Sequence, residues 1–277
     1  MNDWGGDMLV FILLIMLVAF QVTLSDYLVN NPDYYQLDSY TWESDEFRSM
    51  ALGERLVQEP HLEPEMVAAY MVEYDYDLTK LQELHPIRKS IGERKPAAFQ
   101  KLVNAYDTVL SDLKYFPIPE DRSPSASNES DISYENGWMS PRNYGGERGH
   151  EGCDIMGGDQ PSGFYPVVSI SDGVVEKTGW LEQGGWRIGI RTPGGLYVYY
   201  AHLYEYARDW KEGDVVSAGT LLGFMGDTGY SKIEGTSGNF PVHLHLGLYL
   251  KTDNHEELSV NPYWILRYLE QYRLTYS

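Results

Sequence analysis

Hydrophobic and polar positions take three spacings along this chain, and each predicts a different kind of structure. Residues 8–24 read MLVFILLIMLVAFQVTL, apolar apart from Gln21 and Thr23. A run with no polar face, close to the ~20 residues that cross a hydrocarbon core, predicts a membrane-spanning helix rather than a core helix. A cleaved signal peptide is the rival. Asp3 and Asp7 stand where a positive n-region belongs and no small-x-small cleavage site follows, which favours a membrane anchor over residues 1–25. Residues 25–44 are acidic and aromatic, with a turn at Asn30-Asn31-Pro32, and read as a tether or a partly ordered lead-in.

Helical spacing follows. Residues 45–58 and 63–74 have helical composition, with Pro60 and Pro64 at a stop and a start. Over 96–113, Phe99, Leu102, Val103, Tyr106, Leu110 and Leu113 share one helical face. Residues 26–114 are therefore expected to form an acidic lead-in and a helical stalk or regulatory region, to which a regulatory protein could bind. The Ser, Asp, Asn and Pro of residues 120–135 have linker composition, placing a boundary across 115–136.

From residue 137 the pattern shortens to strands: 167–170, 174–179, 186–191, 197–201, 220–226 and 242–250. They are separated by Asp172-Gly173, Pro193-Gly194-Gly195 and similar hairpin signals. Residues 137–277 are expected to be an antiparallel all-β domain closed by a short helix over 263–273, which makes the chain α+β overall.

Charge and cysteine count narrow the chemistry. Against 21 basic residues stand 41 acidic ones, a formal charge of −20. That balance argues against nucleic acid as a partner, because phosphate binding needs concentrated Lys and Arg. With Cys153 as the one cysteine, no intrachain disulfide or Cys-rich zinc knuckle can form. Any metal must be held by His, Asp or Glu.

Two histidine motifs meet that condition: His150-Glu151-Gly152-Cys153-Asp154 and His243-Leu244-His245. Side chains two apart on a strand share a face, so His243 and His245 can converge while Leu244 enters the core. His150 and Asp154 can both face inward across Gly152. One His from each motif with the Asp gives a three-ligand set that leaves a fourth zinc position open, the catalytic type. His202, in Tyr199-Tyr200-Ala201-His202-Leu203, and whichever of His243 and His245 is not a ligand remain to handle protons or an oxyanion.

These motifs, in this order, resemble the His-x-x-x-Asp, His and His-x-His signatures of the M23 peptidases, the lysostaphin-like peptidoglycan endopeptidases. The stretch KEGDVVSAGTLLGFMGDTGY at 211–230 is similar to that family's glycine-rich segment, and Pro166-Val167-Val168 with Ser171-Asp172-Gly173-Val174-Val175 match its hairpin. The likeness covers residues 140–250. It implies a β-sandwich catalytic domain of the duplicated-hybrid-motif kind, in which Zn2+ is held by His150, Asp154 and His245, while His202 and His243 activate water and steady the tetrahedral intermediate. It implies bacterial peptidoglycan as substrate and so a catalytic domain outside the cell membrane. The alternative is a non-catalytic scaffold of the same fold in a cell-wall, division or sporulation complex.

Three departures stand out: a long segment at 232–242 before His243, Leu246-Gly247 where the family more often carries Phe-Glu, and a long insert at 157–164. The segment at 232–242 is expected to border the groove. His61, His85 and His255 have no motif around them and read as ordinary residues. Cys153 alternates into the core, Glu151 reads as a solvated side chain, and Tyr144 and Arg148 are as well explained by a turn and a surface charge as by substrate contact.

Overall fold

The computed structural model describes residues 4–88, 90–121, 132–144 and 146–276. Its helices are α1 (Trp4–Val29), α2 (Asp33–Gln36), α3 (Asp45–Arg48), α4 (Gly53–Val57), α5 (Pro64–Glu73), α6 (Pro96–Leu110) and α7 (Tyr263–Leu269). Its strands are β1 (Glu120–Asp121), β2 (Ser133–Tyr134), β3 (Pro141–Arg142), β4 (Arg148–Gly149), β5 (Cys153–Met156), β6 (Pro166–Val168) and β7 (Gly173–Leu181). They continue with β8 (Gly185–Arg191), β9 (Tyr197–Tyr206), β10 (Val215–Val216), β11 (Leu221–Met225), β12 (His243–Leu250), β13 (Leu258–Val260) and β14 (Thr275–Tyr276).

The strands carry alternating buried and outward residues, as Leu244, Leu246, Leu248 and Leu250 on β12 illustrate, and they pair antiparallel in the order β10-β7-β8-β9-β12-β5-β2. β13 joins β12, and β6 joins β11. The pivot is β9. Its first half ladders onto β12, from Tyr197↔Tyr249 to Ala201↔His245, and its second half onto β11, from Leu203↔Met225 to Tyr206↔Gly223. The expected antiparallel domain is thus one hydrogen-bonded network whose two branches part at His202, rather than two separate sheets.

The helical part differs from expectation in two places. Instead of one helix over 45–58 there are two short ones, α3 and α4, interrupted at Met50, whose φ is +46°. Ala51 there pairs with Asp77 and accepts a hydrogen bond from Leu78, a tertiary pairing that takes the backbone out of the helix. Of the two readings of 25–44, the ordered lead-in replaces the tether: α1 runs on to Val29, and Asp33, Leu37 and Thr41 are buried.

One hydrophobic cluster joins helices and sheet, running from Leu37, Phe47 and Leu56 through Phe116 and Ile118 to Leu246 and Leu269. Of the expected 115–136 linker, the first part is therefore packed: Phe116 and Ile118 are buried, and β1 pairs with β14. Residues 122–131 of that expectation lie outside the described residues. Arg48 stitches the halves together, donating to the Ser259 carbonyl at 2.9 Å while its own carbonyl accepts from Asn261 at 2.8 Å. Along α1, by contrast, the apolar stretch Gly6–Val29 is unburied and long enough to cross a membrane.

Candidate functional site

The β5–β12 ladder sets Asp154 directly opposite His245, and the β3–β4 hairpin leads His150 to the same point. Three atoms converge there. His150 Nε2 lies 3.0 Å from Asp154 Oδ1 and 3.0 Å from His245 Nδ1, and His245 Nδ1 lies 2.9 Å from Asp154 Oδ1. Gly152 makes room for the convergence, since a Cβ there would come within 2.4 Å of His245 Cε1.

The donor chemistry fits a cation. His150 Nδ1 donates to the Gly137 carbonyl at 3.1 Å, so the neutral ring presents a bare lone pair at Nε2. That lone pair faces a carboxylate oxygen, and only His245 Nδ1 could carry a proton among the three. A divalent ion at the centre satisfies all three atoms at once. Tetrahedral zinc with bonds of about 2.0–2.1 Å spaces its ligands roughly 3.3–3.4 Å apart, so an opening of a few tenths of an ångström seats it. Burial works to raise the pKa of Asp154, but the imidazoles of His150 and His245 close against its carboxylate outweigh it and hold the carboxyl well below its ordinary range. Its other oxygen, Oδ2, accepts from Arg142 Nη2 at 2.7 Å.

His202 and His243 stand beside this cluster with ring centroids 4.7 Å apart. His243 Nε2 is 3.8 Å from Asp154 Oδ1, and its Nδ1 donates to the Pro241 carbonyl at 2.8 Å. His202 occupies a bulge: Trp186 pairs with Leu203 and Ile188 with Tyr200, leaving Ala201 and His202 opposite Arg187 alone. Its φ of +62° is strained for a residue with a Cβ, and the conformation is held by hydrogen bonds from its N–H to the Gly184 carbonyl, 2.8 Å, and from Nδ1 to the Thr228 carbonyl, 2.7 Å. Burial and the nearby charges of His243 and His245 push its pKa well below the ordinary imidazole value. His202 is thus a neutral ring with a bare Nε2, able to accept a proton.

All five residues singled out by the sequence come together here, while His61, His85 and His255 lie elsewhere. Cys153 is buried behind the site, and Glu151 is exposed on its rim. Sequence reasoning missed Arg142, Thr228 and the carbonyls of Gly137 and Pro241, which orient the five. Nothing local marks Arg142, whose link to Asp154 depends on the β3–β4 hairpin. The long segment before His243 does border the site, for Phe240 packs against His202 at 4.8 Å and His243 at 5.2 Å, with Tyr230 beside it.

Around the cluster runs a groove of about 480 Å³. His150, His202 and His245 lie along it with Tyr197, Tyr199 and Tyr249, and among the described residues none of the helical part lines it.

Comparison with known proteins adds relatives to this geometry. The model of Peptidase family M23 matches residues 148–262. The L-Ala--D-Glu endopeptidase of Bacillus subtilis (strain 168) is 41% identical over 176 residues, 63% of this chain and 49% of that protein. Lysostaphin of Staphylococcus simulans is 41% identical over 68 residues, 24% of this chain and 13% of that protein. The chain therefore spans about half the length of the first of these curated relatives and less of the second. A crystal structure from Ruminococcus gnavus ATCC 29149, described as a candidate glycyl-glycine endopeptidase lytM, superposes with a TM-score of 0.75. It shares 42% identity, covering 87% of this chain and 96% of that one.

Proposed function

From the premise that this chain belongs to peptidase family M23, we propose that it is a zinc-dependent endopeptidase that hydrolyses peptide bonds of bacterial peptidoglycan. The observation that carries this proposal is the convergence of His150 Nε2, Asp154 Oδ1 and His245 Nδ1 within 3.0 Å of one another, at the floor of an open groove. In this assignment these three hold the metal, and His202 and His243 are the proton-handling pair.

Zinc bound there would supply Lewis acidity, polarising the scissile carbonyl and lowering the pKa of a water toward about 7. The chain's own residues do the rest. Arg142, through Asp154 Oδ2, and the Gly137 carbonyl, through His150 Nδ1, keep the ligand atoms aimed inward. His202, neutral and with Nε2 bare, accepts the proton of the attacking water. Once protonated, the same Nε2–H becomes a donor for the developing oxyanion, and His243, held in the same tautomer by the Pro241 carbonyl, can act likewise. Phe240 and Tyr230 wall the pair off from bulk water, which strengthens those interactions.

Peptidoglycan lies outside the cytoplasmic membrane, so the catalytic part would lie outside too, anchored by α1. Residues of the α5–α6 connection grip the end of α1 and the segment after it as an anchored stalk would: Arg88 donates to the Val29 carbonyl at 3.0 Å, Arg94 bonds Tyr27 and Asn31, and Lys95 bonds the Tyr34 carbonyl at 2.6 Å. Exposed Tyr34 and Tyr35 at that level suit a membrane interface.

The test is to purify the full chain without chelator, measure its metal, and analyse by mass spectrometry the products released from defined peptidoglycans. The expected outcome is one zinc per chain and new peptide termini that a chelator abolishes. Protein that holds no zinc, or digestion indifferent to chelator, would sink the proposal.

A further inference from the structure

Among the described residues the helical part sends none into the groove, yet it grips the turn that aims His150. That turn is formed by residues 135–140. The Gly137 carbonyl accepts the Nδ1 proton of His150 at 3.1 Å, the Met139 N–H donates to the His150 carbonyl at 2.8 Å, and the His150 N–H donates to the Ser140 carbonyl at 2.9 Å. Met139 stands at φ +59°, a left-handed state that a residue with a Cβ keeps only where its surroundings impose it. Burial does not impose it, because Glu135, Asn136, Met139 and Ser140 are exposed. From the sheet side the turn is held by the β2–β5 pairing before it and by Cys153 Sγ, 3.4 Å from the Glu135 carbonyl.

The remaining contacts lead to one residue, Arg48 of α3. Its guanidinium carbon lies 5.2 Å from the centroid of the Trp138 ring. Both side chains bond the Ser259 hydroxyl of β13, Arg48 Nη2 at 3.3 Å and Trp138 Nε1 at 3.4 Å, and Arg48 Nε donates to the Ser259 carbonyl at 2.9 Å. On the other side of Gly137, Asn136 Oδ1 accepts from Asn261 Nδ2 at 3.0 Å, and the Asn261 N–H donates to the Arg48 carbonyl at 2.8 Å. Both neighbours of Gly137 are thus held by groups bonded to Arg48. The ion-pair partner of Arg48, Asp45 at 2.8 Å, is exposed and faces away from this turn's contacts with Ser259 and Asn261 only in sequence, lying three positions before Arg48 on the same helix.

We propose that Arg48 is a positioning residue for His150. By fixing Asn136 and Trp138 it fixes the Gly137 carbonyl between them, and so the tautomer and ring direction that leave Nε2 bare toward the cation site. This inference rests on the metal assignment made above and gives the helical part a role in it, as a strut of the catalytic centre. A group that orients a metal-binding imidazole through its second nitrogen sets metal affinity by about 10–100-fold. A partner that pulls α3 from β13 therefore lowers metal affinity and cleavage, whereas removal of a cover over the groove would raise cleavage.

The full chain and its variants, purified without chelator, are to be titrated with a competing chelator to give equilibrium zinc affinity, with thermal unfolding and the kinetics of zinc-saturated protein measured alongside. Arg48→Met is expected to bind zinc about 10-fold more weakly. Once saturated it should keep kcat and KM within about threefold of native, because Arg48 does not line the groove. Arg48→Lys, which keeps a cation over Trp138 and loses the fork, should fall between the two. Asn136→Ala, at an exposed position that leaves α3 docked, should weaken zinc about threefold, the worth of one hydrogen bond. Asn254→Ala is the control for general loosening: it removes the 2.8 Å bond to Glu43, which also joins the two parts but touches none of residues 135–140, and should leave zinc affinity native.

Native zinc affinity in a folded Arg48→Met would overturn the inference, and so would an equal loss in Asn254→Ala. If Arg48→Met does not fold, Asn136→Ala decides, and native affinity there overturns the inference. A native chain that binds no zinc would overturn the endopeptidase proposal with it. A zinc-binding chain indifferent to Arg48 would overturn the inference alone.

Discussion

His150 and His202 are both buried, and each gives its Nδ1 proton to a backbone carbonyl, yet they are held in opposite ways. His150 belongs to a cluster built on regular geometry: the β5–β12 ladder sets Asp154 against His245 without a register break. His202 stands on a bulge at φ +62°, in a backbone state that costs about 1–3 kcal/mol for such a residue. A metal site tolerates little error, and a continuous ladder supplies its spacing automatically. His202 stands beside that cluster because the bulge turns it out of the ladder, whereas His243 reaches the same place from within the β5–β12 ladder, opposite Met156. The ligand cluster should therefore be robust in its architecture, and His202 dependent on a few supporting bonds.

The widest separation of the two is expected from His245→Ala against His202→Ala. In the proposed assignment His245→Ala removes a ligand, so zinc content measured by mass spectrometry should fall to background and cleavage with it. His202→Ala should keep its zinc and lose about 10²–10⁴-fold in kcat, the usual worth of a positioned acid–base group. If His202→Ala lost its zinc as well, the division between the two regions would collapse.

Arg142→Met probes the ligand side alone. With the 2.7 Å contact to Asp154 Oδ2 gone, competition against a chelator should show zinc affinity weaker by about 10–100-fold, while the zinc-saturated enzyme keeps most of its rate. Thr228→Val probes the other side, and its effect should be the smallest. Its hydroxyl accepts from the Trp186 N–H at 3.1 Å and donates to the Leu203 carbonyl at 2.8 Å, and its own carbonyl holds His202. Loss of the hydroxyl should cost about 1–3 kcal/mol in denaturant unfolding, because both partners are left buried and unpaired, and should lower kcat at unchanged zinc content. A lower zinc affinity instead would mean that the bulge supports the ligands too.

Much of this site was legible before folding was known, for a physical reason visible in its residues. His243 and His245 share a face because a strand repeats every two residues, and His150 and Asp154 reach that face across a glycine. The antiparallel strands were legible in the same way, from alternation interrupted by Asp-Gly and Gly-Gly. The helix over 45–58 was misjudged because composition does not register the pairing of Ala51 with Asp77, which breaks it at Met50. Phe116 and Ile118 looked like the edge of a linker because nothing near them in sequence shows the core they enter.

The sequence by itself determined the periodicities, the apolar stretch near the N-terminus and the identity of the five histidine and aspartate side chains. These depend on neighbours a few positions apart, where backbone geometry alone decides which side chains meet. Only the tertiary structure decided the orientation of those rings through Gly137, Thr228 and Pro241, the contact of Arg142 with Asp154, the bulge that turns out His202, and the stacking of Arg48 on Trp138 beside Gly137. Those relations join residues on different strands, and their distances exist only once the ladders have closed.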